Sequence, residues 1–453
     1  TNTENIGIGY RSGYALTGTL NTMLGYKSNL NGTSGDGNTI IGHQAVGAGV
    51  LTGNNNVVIG KLAGNDMTSA ASNVLIGEDA GANITTAVAN VIIGQGAGET
   101  PTSASYNIAI GVNAGASMTT GDLYNTLVGH SAGSSLTSGN RNIFMGASAG
   151  DGHDTETHNL GIGVASLGGS IAGGEYNVAV GNYTLDALTS GDENTVIGYE
   201  AGTTLTTGNQ NVFIGRYSGR VATTGGYNTC VGSTSGVAMT GASNNNTLIG
   251  VESGRSLTTG DNNVAVGSES LGGSSGATTE SNNVAIGVNS MRSNSLSGAE
   301  YNVTVGNNTL DALTSGDNNV AVGHNAGSAV TSSLQNTIMG DAAGATLTSG
   351  SGKNTIIGKD AFTGTLTTGN NNIGLGHKVK VSTGGANFQF VIGDNVTGNG
   401  NSTTTIGYDT TEIATSHGSA SWAAVSDERY KKDITNSTAG LTFIDDLRPV
   451  TFK

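Results

Sequence analysis

Apolar and polar positions follow one another along this chain in a unit that returns about every 17 residues. Each unit begins with an Asn. A β-branched residue or Leu comes next, then a second residue that is usually apolar, then an aliphatic residue or Met, then a Gly. The anchoring Asn residues start at Asn5, Asn21, Asn38 and Asn56 and end at Asn336, Asn354 and Asn372, and 18 of the 21 gaps between them are 17 or 18 residues. The apolar triplet, as in Val57 to Ile59 or Val91 to Ile93, predicts a short strand whose first and third residues share a side, because side chains alternate. The middle residue is apolar as well at Val58, Leu75, Ile92, Phe144 and Phe213, so the strand is expected to be buried on both faces.

The rest of the unit predicts a turn, a short second strand and another turn. Ala63-Gly64, Ala132-Gly133 and Ala201-Gly202 mark the first corner, and Leu-Thr-x-Gly, at Leu136 to Gly139 and Leu205 to Gly208, marks the second segment, with the Leu turned inward. Gly supplies the positive φ that such corners demand, and Asn tolerates it. The expected fold is all-β: a parallel β-solenoid, or β-roll, of about 17-residue coils that bury one another. At about 4.8 Å per coil such a rod is on the order of 110 Å long. The stacked Asn side chains are expected to form an amide ladder with each other and with corner backbone groups.

So short a coil has one interior, and the second apolar strand face needs another surface. The simplest answer is a homotrimeric rod, three chains about one axis. The alternative places the middle residue against an internal layer. Small residues at that position (Gly7, Ala179, Ala265, Gly374) suit either close approach of chains or tight packing.

Composition narrows the function classes. With 76 Gly but only 2 Pro and no G-x-y register, the glycines serve turns and not a collagen helix. Charged residues at 11% and aromatics at 5% are unusual for an enzyme domain. A net charge of -15, with no basic run before residue 429, argues against nucleic acid and anionic membranes as partners. No stretch approaches the roughly 20 apolar residues of a membrane-inserted helix. Cys230 is the single cysteine and is read as a small apolar filler.

Neither a cofactor nor a metal is expected. Asp122, Asp192, Asp261 and Asp317 follow the second-corner Gly, where calcium could be held, but the GGxGxD nonapeptide is absent and a turn role is the simpler reading. His153 and His158 lie with Asp151, Asp154 and Glu156 in one polar corner, read as a solvated outward loop before a cation site.

GNYTLDALTSGDEN at residues 181–194 returns as GNNTLDALTSGDNN at 306–319, so the rod grew partly by block duplication. The longer corners at 268–282 and 288–301 are expected recognition loops. Three regions follow: a solenoid rod over residues 1–376, an irregular β neck over 377–425, and a compositionally distinct tail over 426–453. The neck keeps Ile-Gly at Gly393 and Gly407 but loses the Asn, and it holds Trp422, read as a packing anchor.

The tail, SDERYKKDITNSTAGLTFIDDLRPVTFK, resembles the opening of the intramolecular chaperone domain at the C-termini of phage tail spikes and tail fibres, the endosialidase-type or peptidase S74 family. Ser426, Asp427, Arg429, Lys431, Asp433 and Ile434 carry the match, followed by Leu447 to Val450; Tyr430 stands where Leu is common. The resemblance implies a Ser426 nucleophile, a Lys431 general base supported by Asp427, and one self-cleavage between Val425 and Ser426. A Lys desolvated at a trimer interface can lose its proton and activate a hydroxyl. Only 28 residues follow that bond, so the expectation is the start of a truncated chaperone domain. The repeat is also similar to the coils in the heads of trimeric bacterial adhesins, with matches at NVAIG and NNVAVG but a longer period.

These readings lead to a structural and adhesive fibre, virion tail-fibre-like or otherwise extracellular. It would present a surface for a glycan or protein receptor of the host cell, with the C-terminal segment guiding trimerisation. A bacterial cell-surface adhesin or extracellular filament is the alternative. Beyond the single self-cleavage no substrate-directed activity is expected, because the paired carboxylates of a polysaccharide-degrading tailspike are missing from the pattern.

Overall fold

A period equal to one coil stacks each residue on its own kind. The computed structural model describes residues 4–419, apart from 122, 171–172, 274–277 and 294–295, together with 423–424. Among them the regular elements are all strands. Twenty-two strands of three residues run from β1 (Ile6–Ile8) to β22 (Ile373–Leu375), followed by β23 (Gln389–Asp394), β24 (Thr403–Tyr408), β25 (Thr411–Ser416) and β26 (Ala423–Ala424). Neighbours pair in parallel at equal repeat positions, so Val57, Val74 and Val91 form one column and Ile59, Ile76 and Ile93 another. The chain is therefore a parallel β-solenoid of about 17-residue coils.

The middle residue of each strand is the one that faces inward. Val58, Leu75, Leu127, Phe144 and Phe213 are fully buried, whereas the flanking pair stays half-buried or exposed. Three further columns complete a dry interior. They are the Ala three residues past the strand Gly (Ala63, Ala80, Ala97), the aliphatic or Met seven past it (Met67, Ile84, Met118, Leu136), and the small residue three before the Asn (Ala70, Ala87, Ala104).

Side-chain volumes within a coil compensate one another. In several coils with a small strand centre the corner residue four past the Gly is large: Ala179 goes with Leu185, Ala265 with Leu271 and Ala285 with Met291, all buried, whereas Ala109 and Ala321 go with Gly115 and Gly327. Where the centre is Phe144 or Phe213, that corner is Gly150 or Gly219, and a Cβ on Gly150 would lie 2.4 Å from the Phe144 ring. The small strand residues thus serve tight packing inside one coil. Leu185 and Met291 hold φ of 53° and 52°, a left-handed conformation that burial of a large side chain must outweigh.

The anchoring Asn residues form the expected ladder inside the wall. The Asn211 backbone N–H and Nδ2 both donate to Asn194 Oδ1 at 3.0 Å, and Nδ2 also donates to the Gly225 carbonyl at 2.9 Å. Asn228 repeats the arrangement on Asn211. Every such Asn from Asn21 to Asn372 is buried, which is tolerable because its donors and acceptor are engaged.

Two expectations are corrected. The Leu-Thr segment is not a second strand; it is a bend that bonds to the next coil without strand pairing, with isolated bridges such as Leu257 with Thr278. One carbonyl there serves several donors, Thr85 O accepting from the N–H groups of Thr68, Ser69 and Ala70 at 2.9, 3.1 and 3.2 Å, so the backbone curves and no regular ladder forms. The second correction concerns the end of the rod. Coil stacking does not stop at Gly376: β22 pairs in parallel with β23, and β23 with β24. Gln389, fully buried, takes the slot of the missing Asn, and its backbone N–H donates to Asn372 Oδ1 at 2.9 Å. Only after Tyr408 does the chain turn back, with β25 antiparallel to β24.

Candidate interaction surface

The inward turn of the middle residue leaves the first and third residues of every strand on the outside. Ile108, Ile143, Met145, Ile162, Val303 and Val305 are each more than a third exposed, at 39, 40, 41, 36, 37 and 37%. In register, the third-position column is aliphatic or Met in every strand from β1 to β22, and the first-position column is Val, Ile or Leu interrupted by Thr, as at Thr195 and Thr229, so that the two make one largely apolar stripe. Contiguous apolar surface on this scale marks an interaction face.

Aromatic side chains line the stripe on both sides. Just past the strand Gly, Tyr10, Tyr26 and His43 stack at 5.5 and 5.0 Å between centroids. Just before the Asn, Tyr106 stacks on Tyr124 at 5.1 Å and His158 on Tyr176 at 4.8 Å. This second column is left-handed, with φ of 61° at Tyr106 and 58° at Tyr176, so β-branched residues are absent from it. Exposed ion pairs between coils, Lys61 with Glu78 at 2.6 Å and Lys359 with Asp341 at 2.9 Å, add little stability.

The polar corner at residues 151–158 is not an outward loop. His153 occupies the column seven past the strand Gly, the one held by Met118 and Leu136, and is fully buried against Phe144 at 4.8 Å between ring centroids. Neither ring nitrogen has a hydrogen-bond partner. Glu156 sits three before Asn159, in the column of Ala104 and Gly139, with its carboxylate accepting from the N–H groups of Asp154, Thr155 and Gly173 at 2.8, 3.1 and 3.1 Å. His158 stands outside on Tyr176. The five residues are therefore dispersed. Counting seven residues past Gly146 would have placed His153 inside; reading the corner by its polarity hid that.

Burial pulls the His153 pKa down to about 3, outweighing a weak pull from the Leu167 backbone. An unfolded His near 6.5 binds the proton that the native one refuses, so stability contributed by the neutral form is complete above pH 6.5 and is lost as pH falls from there toward 3. Between pH 7.5 and 4.5 the coils around His153 are expected to lose about 3 kcal/mol. In His153→Leu, which continues the Leu136 column, that loss should vanish. Hydrogen exchange of the adjoining strands at the two pH values checks this, and an equal loss in the variant would overturn it.

Comparison with known family models, curated proteins and solved structures returned no match. The chemistry carried by single residues is otherwise plain. Burial pushes the Cys230 thiol well above its ordinary pKa, at a strand centre where it fills volume. Asp192, Asp261 and Asp317 accept the N–H groups of Glu175, Asn244 and Glu300 in the preceding coil at 2.9, 2.6 and 2.8 Å, and so link neighbouring coils. Ser426, Asp427, Lys431, Asp122 and Trp422 lie outside the described residues.

Proposed function

We propose that this chain is the shaft of an extracellular fibre, virion tail-fibre-like, in which three copies cover one another's apolar stripes and the flanks that remain exposed meet a host receptor. The observation that carries this reading is the outward column at the third strand position, aliphatic or Met in all of β1 to β22, beside a first-position column of Val, Ile, Leu and Thr. Leaving that area in water is costly at about 25 cal/mol per Å², and self-association through identical columns removes it without any new sequence. The resemblance of the tail to an intramolecular chaperone and of the coils to trimeric adhesin heads supports the same reading. A protein of low charge and few aromatics also suits a scaffold better than a catalyst.

Mass measurement of the full chain in solution tests it. The expected particle is three times the 44.9 kDa chain. Ile76→Asp with Ile93→Asp alters the stripe without touching the core and is expected to leave a folded monomer. A wild-type chain that stays monomeric at micromolar concentration would remove the proposal.

A further inference from the structure

The column two residues before each ladder Asn normally carries a side chain that bonds to the adjacent coil, as Asp317 and Asn370 do. At Leu334 and Gly352, as at Ala71 and Val88, two successive coils carry no such side chain. Leu334 offers no acceptor and the next coil has Gly352, without a side chain. The same coil is 18 residues long, Asn336 to Asn354, and holds Gly350 at φ 73° with nothing within 4 Å of where a Cβ would lie. A cleft of about 260 Å³ opens there, lined by Ser332, Leu334, Gln335, Lys353, Asn370 and Asn371.

We propose that this cleft binds one sugar unit bearing a carboxylate, within a longer surface glycan. The proposal rests on the receptor-binding reading above and names the ligand class. Exposed Leu334 forms an apolar floor of the size of one pyranose C–H face. The side chains of Gln335, Asn371 and Ser332 are polar, converge on the cleft and make no hydrogen bond within the described protein, so their amides and hydroxyl are available to vicinal sugar hydroxyls. Lys353 is the one cation of the lining. It has no acidic partner among the described residues, which leaves the ammonium for a ligand carboxylate. Backbone bonds keep the walls in place: Lys353 N–H donates to Leu334 O at 3.1 Å and Leu334 N–H to Ser351 O at 3.2 Å.

Saturation-transfer NMR on the full chain with D-glucuronate and with D-glucose tests this. Wild type is expected to bind glucuronate with a Kd on the order of 1 mM, and glucose more weakly. Lys353→Gln should weaken glucuronate at least about fivefold and leave glucose unchanged, whereas Gln335→Ala should weaken both. Both side chains are exposed, so thermal unfolding of each variant should match wild type. A wild type that binds neither sugar, or a Lys353→Gln variant that binds glucuronate as wild type does, would overturn the cleft. The mass measurement reads the fibre separately: an assembled trimer that ignores both sugars removes the cleft alone.

Discussion

Asn211→Leu is expected to split the rod into two unfolding units and to cost about 3–6 kcal/mol locally. Asn211 sits in the middle of the ladder, and its side chain serves two coils at once. Its Nδ2 satisfies Asn194 Oδ1 and the Gly225 carbonyl, and its Oδ1 receives the Asn228 backbone N–H at 3.0 Å and the Asn228 Nδ2 at 3.1 Å. Leu has a similar volume, so the loss is not one of packing. It comes from the Gly225 carbonyl and the Asn228 N–H, which stay buried with nothing to pair to. Because each coil of a solenoid contacts only its neighbours, the damage is confined to one junction, and cooperativity across it falls. Urea unfolding should change from one transition to two, and hydrogen exchange should rise first in the coils of Asn194 to Asn228. Asn211→Asp sharpens the test, since it keeps Oδ1 but puts an acceptor against Asn194 Oδ1 and the Gly225 carbonyl. Its defect should be at least as large at neutral pH and partly recover near pH 4, where a protonated carboxyl donates again. A single transition at the wild-type midpoint for Asn211→Leu would show that the ladder contributes nothing.

Gly198→Ala is expected to be of similar severity for a steric reason. Gly198 closes its strand at φ 141°, and a Cβ there would lie 2.4 Å from the Gly215 carbonyl oxygen and 2.6 Å from its carbon. The neighbour is backbone in the next coil, held by its own strand pairing, so it cannot retreat as a flexible side chain would. One methyl group therefore forces two coils apart, at about 3–5 kcal/mol. Gly241→Ala is the matched control: φ is 57° but nothing lies within 4 Å of the added Cβ, so only the left-handed conformation is disfavoured, by about 1 kcal/mol. Thermal unfolding of the pair separates the two causes. Equal shifts would mean that the stack is soft enough to absorb the methyl.

Both predictions concern columns that were legible in the chain itself. An Asn and a Gly at fixed offsets in over twenty coils announce positions where identical groups must meet their own copies, because a period of one coil leaves parallel in-register stacking as the arrangement that repeats every contact. The strands, their register, the amide ladder and the solenoid class follow from that. Asp192, Asp261 and Asp317, expected in turns, instead link coils, because a short carboxylate beside Gly has the preceding coil's backbone N–H within reach.

What the period could not decide was direction. A three-residue strand that is apolar at all three positions is consistent with either face inside, and only the closed coil shows that the middle residue points in. The physical reason lies in the other columns: in several coils the corner Leu, Met or Gly matches its volume to the strand centre across the interior, as Leu185 does for Ala179 and Gly150 for Phe144. Such compensation joins residues six apart in a curved backbone, which no alternation rule describes. The same closure drew His153 and Glu156 into the wall, where their polarity argued for solvent, because coil position outranks residue type when every neighbouring coil is already in place. It also let Gln389 stand in for Asn and carried the stack past Gly376, since the backbone N–H of Gln389 makes the bond to Asn372 Oδ1 whatever the side chain, and the longer amide turns to Ser382. The sequence by itself thus determined which residues stack. The tertiary structure decided which of them face water, and with that the location of the apolar stripe and of the cleft at Gly352.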